Sequence, residues 1–188
     1  MKAILLDGYG TLVEITEKHH PFRMLGGDNK LARRAFYEKA LCEDLTPEQL
    51  LAPFGMSQCE IDSIVSRLSA ETQSVRAFED SIAFLNHLNK AGVPWMIVSN
   101  LAKPYCQPLL DALQIDAGQC RFSCLTGLLK PDAMALLGPC EELGCDPSEA
   151  LMIGDSLRDD VGGAIAAGLQ YFHLDRSRHT LWDVPGIR

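Results

Sequence analysis

Five polar residues that could carry out covalent chemistry stand at the ends of apolar segments or before a predicted helix. Asp7 ends the run KAILLD, Ser99 and Asn100 end VPWMIVSN, and Asp155 ends ALMIGD. Lys130, in GLLKPD, directly precedes a predicted helix. A carboxylate can attack an electrophilic centre, while an ammonium group and a hydroxyl stabilise the charge that develops. The four segments therefore predict one site for covalent catalysis.

The apolar segments have the length and composition of buried parallel strands. They are continuous rather than alternating in polarity, and they span 2–7, 93–100, 121–125, 150–155 and 170–175. Helical patterns lie between or beside them, at 78–91, 103–113, 131–143 and 157–168. This alternation predicts an α/β core with a doubly wound, Rossmann-like parallel sheet. Ligands of such sheets bind at the carboxyl ends of the strands, where the candidate residues fall.

The segment 15–77 shows helical signals and no convincing strand. Its signals are a predicted helix at 29–42, an amphipathic pattern at 61–68, and capping boxes at 46–49 and 57–60. We therefore predict a small helical cap over 15–77. The cap would be inserted into an α/β core built from 1–14 and 78–188.

The composition narrows the classes of partner. The 188 residues carry a net charge of -8 and a pI near 5.0, so binding to nucleic acid or to an anionic membrane is not expected. No apolar run approaches the roughly 20 residues of a membrane span, and the N-terminus lacks the features of a signal peptide. The odd number of cysteines, seven, favours reduced core thiols. These features predict a cytoplasmic protein.

The candidate residues resemble the four motifs of the haloacid dehalogenase superfamily, in its phosphatase branch. DGYGT, from Asp7 to Thr11, is similar to Asp-x-Asp-x-Thr, and Ser99 matches the second motif. Lys130 matches the third, and GDSLRDD, beginning at Gly154, matches the fourth. The resemblance covers essentially the whole chain, because that family also carries a helical cap. It implies a hydrolase that acts on a small phosphorylated molecule through an aspartyl-phosphate on Asp7.

The resemblance also implies a Mg²⁺ site at the carboxyl edge of the sheet. Its ligands would be Asp7, the backbone carbonyl of Tyr9, Asp155 and Asp160. Mg²⁺ favours such hard oxygen ligands. Asp159 and Asp160 are both candidates for holding metal-bound water or orienting Lys130. The alternative is that they are simply acidic residues at a helix N-terminus.

The remaining roles concern the transferred group and the substrate. Thr11, Ser99, Asn100 and Lys130 are the predicted catalytic partners of the nucleophile, and the last three are also expected to contact the substrate. Arg23, in the cap, is a candidate substrate anchor. Arg33 and Arg34 are weaker candidates, because an exposed helix face explains them equally well.

Tyr9 departs from the phosphatase pattern, which has a second Asp at this position. That Asp protonates the leaving oxygen and then activates water, a contribution of about 10²–10⁴-fold. A phenol with a pKa near 10 is a poor base at neutral pH. His19 or His20, at the entrance to the cap, could take over this role.

The departure keeps two other functions open. The sequence Asp-x-Tyr-Gly-Thr resembles the first motif of the 2-haloacid dehalogenases. With that chemistry, Asp7 would attack a carbon atom and no metal would be required. Those enzymes have Ser-Ser-Asn where this chain has Gly154-Asp155-Ser156, and a charged Asp155 would repel a carboxylate substrate. The other alternative is a binding or regulatory protein of low activity. Neither the substrate nor the oligomeric state follows from the sequence.

Overall fold

A computed structural model describes residues 1–22 and 30–187, with the backbone alone for Lys30, Ala32 and Arg33. The described chain forms seven strands: β1 (Ala3–Leu6), β2 (Val13–Ile15), β3 (Val75–Ala77), β4 (Trp95–Ser99), β5 (Cys120–Phe122), β6 (Ala150–Gly154) and β7 (Gln170–His173). Its α-helices are α1 (Lys30–Cys42), α2 (Pro47–Leu51), α3 (Gln58–Gln73), α4 (Ser81–Ala91), α5 (Cys106–Leu113), α6 (Ser123–Thr126), α7 (Met134–Glu142) and α8 (Gly162–Ala167).

Five parallel strands form the central sheet in the order β5-β4-β1-β6-β7. Side chains on β1 alternate between its two faces: Ile4 and Leu6 pack in a cluster with Phe84 of α4, whereas Leu5 packs with Leu136 of α7. All three β1 residues are fully buried. Since helices cover both faces, continuous apolar strands are the expected sequence pattern. The predicted doubly wound α/β core is confirmed.

The predicted strand 121–125 is wrong at its second half. The strand β5 ends at Phe122, and residues 123–126 form the short helix α6. The Ser123 hydroxyl accepts a hydrogen bond from the N–H of Leu101 at 3.0 Å, which turns the chain away from the sheet. Gly127, with a φ of 72°, then ends α6 in the left-handed conformation that suits glycine.

Several predicted helices begin later than their sequence patterns indicate. The N–H of Phe78 bonds to the carbonyl of Leu12, so α4 begins only at Ser81. Residues 103–105 form a 3₁₀ turn before α5. In the third case, the Asp132 side chain accepts from the N–H of Met134 at 2.9 Å, and α7 begins there instead of at residue 131.

The predicted helix over 157–168 consists of two parts. Leu157–Val161 is a π-helical turn, and α8 follows it. The carbonyl of Ser156 accepts from the N–H groups of both Asp160 and Val161, at 3.0 and 3.1 Å. This wider turn is typical of functional sites.

The cap segment contains the predicted helices and one unpredicted strand. Both capping boxes are confirmed, with Thr46 before α2 and Ser57 before α3. The expectation of no strand in 15–77 is wrong, because β3 pairs antiparallel with β2. This two-stranded sheet joins the point where the chain leaves the core to the point where it returns. The division into a core of 1–14 and 78–188 and a cap of 15–77 stays a prediction.

None of the helices in the described ranges combines the length and the apolar composition that a membrane span requires.

Candidate active site

The predicted residues converge at the carboxyl edge of the central sheet. Asp7 follows β1, Ser99 ends β4, and Asp155 follows β6. Together with Lys130 and Asp160 they line a pocket of about 160 Å³. Because β1 lies between β4 and β6, parallel strand order brings these three strand ends together.

Asp7 is held through one of its two carboxylate oxygens. Its Oδ1 accepts hydrogen bonds from the Ser99 hydroxyl at 2.9 Å and from the Lys130 ammonium at 2.7 Å. The residue is 8% exposed. A carboxylate so bonded has a fixed orientation, and its other oxygen faces no described donor.

Lys130 is a fully buried cation at the base of the pocket. Its Nζ contacts Asp7 Oδ1 and Asp160 Oδ1, each at 2.7 Å, and the carbonyl of Val98 at 2.5 Å. Burial alone would lower the pKa of Lys130, but attraction by Asp7 and Asp160 raises it above its ordinary value. The lysine is therefore charged at neutral pH and offsets the negative charge of Asp7.

Asn100 positions Lys130 through its backbone. Its Oδ1 accepts from the N–H of Lys130 at 3.0 Å, and its Nδ2 donates to the carbonyl of Lys130 at 2.8 Å. The amide side chain is thus engaged with the protein. The predicted contact of Asn100 with substrate stays a prediction, while its positioning contact with the lysine is a finding of the structure.

Asp160 is likewise held at both oxygens. Oδ1 accepts from Lys130, and Oδ2 accepts from the N–H of Ser156 at 2.9 Å. Burial and the charge of Asp7 raise the pKa of Asp160 to about 6. A side chain at Gly154 would overlap the Asp160 carboxylate, which explains the glycine of the Gly-Asp pair. Asp160 therefore orients Lys130, the alternative considered for it from the sequence.

Asp155 occupies the solvent side of the pocket. Partial shielding by the chain and the charge of Asp7 raise the pKa of Asp155. Thr11, fully buried, donates from its hydroxyl to Asp155 Oδ1 across a long 3.5 Å contact. Gly10 has a φ of 87°, and a Cβ there would lie 2.5 Å from the Asp155 carboxylate. The loop after β1 can approach Asp155 only because residue 10 is glycine.

The acidic cluster fits a hard divalent cation. Oxygens of Asp7, Asp155 and Asp160 lie within 4.8 Å of one another. Against these three carboxylates the pocket lining, among the described residues, has one ammonium group, that of Lys130. Asp159, the other candidate, also lines the pocket, but its carboxylate lies 3.7 Å from Arg158. An excess of carboxylate oxygen around the nucleophile is the donor set that Mg²⁺ prefers.

The Tyr9 side chain is bonded to the segment that precedes α5. Its hydroxyl donates to the carbonyl of Tyr105 at 2.9 Å, and the two rings meet edge to face with centroids 5.9 Å apart. Burial, together with the neighbouring Cys106 and Glu71, raises the pKa of Tyr9 well above its ordinary value. The phenol stays protonated, and its proton is committed to Tyr105.

A hydrogen-bonded chain that sequence reasoning missed continues from Tyr105 to α3 and to residues 19–20. The Tyr105 hydroxyl donates to Glu71 Oε1 at 2.7 Å, and Glu71 Oε2 accepts from the N–H groups of His19 and His20 at 2.6 and 2.8 Å. Glu71 is 5% exposed on α3. Its position on a helix with mixed polarity offered no signal for this role.

The two histidines proposed as replacement acids differ in their surroundings. His20 lines a cavity that Tyr9 also lines, and its φ of 47° is unusual for a residue other than glycine. His19 Nε2 lies 3.9 Å from Glu17 and has no hydrogen-bond partner among the described residues. His20 is therefore the better placed of the two.

Arg176 is a second functional candidate that the sequence analysis missed. Its Nε donates a hydrogen bond to the carbonyl of Thr11 at 2.9 Å. The same guanidinium pairs with both carboxylate oxygens of Asp80, at 2.9 and 2.8 Å. It also lies 4.2 Å above the Phe78 ring. Arg176 therefore fixes the loop that carries the nucleophile. The sequence feature that could have identified Arg176 is its position just beyond the carboxyl end of β7.

Of the predicted cap arginines, Arg23 lies outside the described residues, and so does the side chain of Arg33. Arg34 is exposed and pairs with Glu38 of the same helix at 3.2 Å. This intrahelical pair favours the surface explanation for Arg34.

Comparison with known proteins identifies the family. The model of the haloacid dehalogenase-like hydrolases matches residues 1–168. The chain belongs to this family. It is therefore a hydrolase, built on an α/β fold. A curated relative, hexitol phosphatase A of Escherichia coli (strain K12), is 30% identical over 89% of this chain and 80% of its own length. A phosphoglycolate phosphatase of Agrobacterium fabrum is 28% identical, over 75% of this chain and 58% of its own length.

Solved structures of haloacid dehalogenase-like hydrolases share this fold. A family member from Deinococcus radiodurans R1, with bound phosphate and sodium, superposes with a TM-score of 0.62 and 24% identity, over 100% of this chain and 83% of its own. The L-2-haloacid dehalogenase of Xanthobacter autotrophicus superposes with a TM-score of 0.60 and 19% identity, over 97% of this chain and 80% of its own. Because both chemistries occur on one fold, the fold alone does not choose between them.

Proposed function

We propose that this hydrolase is a Mg²⁺-dependent phosphatase that acts on a small phosphate ester through an aspartyl-phosphate on Asp7. The observation that carries the proposal is the asymmetric bonding of Asp7. Ser99 and Lys130 both bond to Oδ1, and no described residue donates to Oδ2. Oδ2 is therefore the attacking atom.

The reaction has two steps at phosphorus. In the first, Asp7 Oδ2 forms a bond to phosphorus while the bond from phosphorus to the ester oxygen breaks, and that oxygen leaves with the electron pair. In the second, water attacks phosphorus, the bond to Oδ2 breaks, and inorganic phosphate and the free carboxylate are released. Splitting one displacement into two is the benefit of a covalent nucleophile. Ser99 and Lys130 supply the hydrogen bonds and charge that stabilise the phosphoryl oxygens.

Mg²⁺ would be held by Asp7, the Tyr9 carbonyl and Asp155. When bound, it neutralises the carboxylates around the nucleophile and the charge of the phosphoryl group. Asp160, included among the ligands in the sequence-based prediction, supports the site differently, because its two oxygens are bonded to Lys130 and Ser156. Thr11 contributes through its hydroxyl, which contacts Asp155 Oδ1.

In the proposed reaction, residue 9 does not supply a proton to the leaving oxygen. The Tyr9 proton is donated to Tyr105, so the step depends on a leaving group that tolerates negative charge or on another donor. His20, which lines the adjoining cavity, is the residue we propose for activating water in the second step.

The dehalogenase alternative is disfavoured by the charge of the site. A 2-haloacid would bring its carboxylate next to Asp155 and Asp160, which already lie close to Asp7. A Mg²⁺-bound phosphate ester meets no such obstacle. The net charge of -8 agrees with a small molecule, rather than a polyanion, as the partner. A cytoplasmic location belongs to the same proposal.

The test is a paired assay of the purified protein. Phosphate release from a panel of phosphate monoesters is measured with Mg²⁺ and with EDTA, and chloride release is measured from 2-chloropropionate. We expect Mg²⁺-dependent phosphate release that Asp7→Asn abolishes. Chloride release without metal would instead establish the dehalogenase. Equal inactivity of the protein and Asp7→Asn toward all of them would favour a binding protein.

A further inference from the structure

A larger cavity, of about 370 Å³, adjoins the catalytic pocket. The two share Tyr9, Asn100 and Leu101 as walls. The other walls come mainly from α1, from residues 20–22 and from Glu71 of α3, and we call this space the cap-side cavity. The cap-side cavity is therefore one neighbouring space for the rest of a molecule whose phosphoryl group is bound at Asp7. A second space, of about 620 Å³, shares Tyr9 and Asp155 with the catalytic pocket.

Aromatic rings dominate the wall of the cap-side cavity. They belong to Tyr9, Phe22, Phe36, Tyr37 and Tyr105. Phe22 and Phe36 are buried and pack with ring centroids 5.6 Å apart. Neither lysine nor arginine occurs among the described residues that line this space. Such a surface binds apolar rings well, and its described residues offer no cation to an anionic substituent.

The polar groups of the cavity are largely engaged with one another. Glu71 already accepts three hydrogen bonds, from Tyr105 and from the N–H groups of His19 and His20. The Tyr9 hydroxyl is bonded to the Tyr105 carbonyl. The hydroxyl groups of a polyol bound here would lose their hydrogen bonds to water and find few replacements. Each unpaired hydroxyl costs about 1–3 kcal/mol. A carboxylate would lose more.

The chemistry at position 9 favours the same class of ligand. The oxygen of an aliphatic alcohol leaves as a strong base and needs a proton. A phenolate leaves more readily, because phenols ionise with a pKa near 10. A site whose residue 9 has its proton committed elsewhere is thus better suited to an aromatic leaving group.

Resting on the phosphatase activity proposed above, we propose that the cap-side cavity binds an aromatic leaving group and that the substrates are phosphate monoesters of aromatic alcohols. A cavity of roughly 150 Å³ holds one benzene ring, so the space allows more than one ring. In the reaction the phosphorus–oxygen bond breaks, the aryl oxygen keeps the electron pair, and the phenolate takes its proton from solvent after release.

The experiment must separate recognition of the ring from the reactivity of phenyl esters. We therefore compare benzyl phosphate with ethyl phosphate, whose parent alcohols have similar acidity, and add sorbitol 6-phosphate and phosphoglycolate. With Mg²⁺ present, we expect kcat/KM for benzyl phosphate to exceed each of the others by about 10- to 100-fold, from burial of one ring. A preference for sorbitol 6-phosphate or phosphoglycolate would overturn the aromatic proposal and leave the phosphatase standing. If neither these esters nor phenyl phosphate were hydrolysed, both proposals would be wrong.

Two variants test whether the cap-side cavity is responsible. Ala40, 5% exposed on α1, lines the cavity, and Ala40→Leu fills part of it. We expect the ratio of kcat/KM for benzyl over ethyl phosphate to fall at least fivefold, on the order of one lost ring contact. Tyr37→Ala, at a residue 46% exposed, is the second variant, with the same expected direction and less risk to folding. Ala52→Leu, exposed elsewhere in the cap, is the matched control. An unchanged ratio in both cavity variants would contradict the proposal.

Discussion

The Tyr9 hydroxyl donates a hydrogen bond to the carbonyl oxygen of Tyr105 at 2.9 Å. The residue that replaces the expected acid is therefore used to tie the nucleophile loop to the segment before α5. Through the Tyr105 hydroxyl, the same chain of bonds reaches Glu71 of α3. The side chain at position 9 therefore takes part in a structural link between the nucleophile loop and α3.

Tyr9→Asp should raise phosphatase turnover. An acid at this position would protonate the leaving oxygen, which contributes up to about 10²–10⁴-fold. The gain should be largest for alkyl phosphates and small for aryl phosphates, whose leaving groups need no proton. Steady-state kcat for ethyl and phenyl phosphate measures this difference.

The control for this prediction is Tyr9→Phe, which keeps the ring and removes the hydroxyl. It breaks the bond to Tyr105 without supplying an acid, so kcat should not rise for either ester. If Tyr9→Asp raised neither rate, or if Tyr9→Phe raised both equally, the interpretation of Tyr9 as a missing acid would be wrong.

The parts of the site that sequence could predict are those attached to strand ends. Asp7, Ser99 and Asp155 follow from apolar runs that stop at polar residues, because parallel strands end at a shared edge. The role of Glu71 could not be predicted, since it depends on how a cap helix packs against Tyr105. The small sheet of β2 and β3 was missed for a similar reason: strands of three residues carry too little pattern.

Mg²⁺ should stabilise the folded protein through the acidic cluster. At a concentration 100 times Kd, binding contributes about 2.7 kcal/mol, which raises Tm by roughly 5–10 °C. Asp155→Asn removes one of the carboxylates that lie within 4.8 Å of one another and should abolish most of this shift. Differential scanning calorimetry with Mg²⁺ or EDTA measures it. Asp159→Asn, outside the cluster, is the control and should respond to Mg²⁺ as the unmodified protein does.

Lys130→Met should destabilise the protein strongly. The change leaves Asp7 and Asp160 buried without their cation, and breaking such a buried pair costs about 3–5 kcal/mol. Adding Asp160→Asn to Lys130→Met should recover part of the loss, because it removes one uncompensated charge. Urea denaturation measures both. Lys103→Met, which removes an exposed pair with Asp44, is the control, and an equal loss there would contradict this account.

Glu71→Gln should weaken the fold in a pH-dependent way. Although burial opposes ionisation, the hydrogen bonds from Tyr105, His20 and His19 hold the pKa of Glu71 below its ordinary value. A lowered carboxyl pKa adds stability above the unfolded-state value of 4.5, and this stability is lost as pH falls through the folded-state pKa. The variant should therefore lose about 1.5–3 kcal/mol at pH 7 and progressively less below pH ~4.5. Urea denaturation across pH 3–7, with the exposed Glu43→Gln as control, tests this, and a difference that grew on acidification would contradict it.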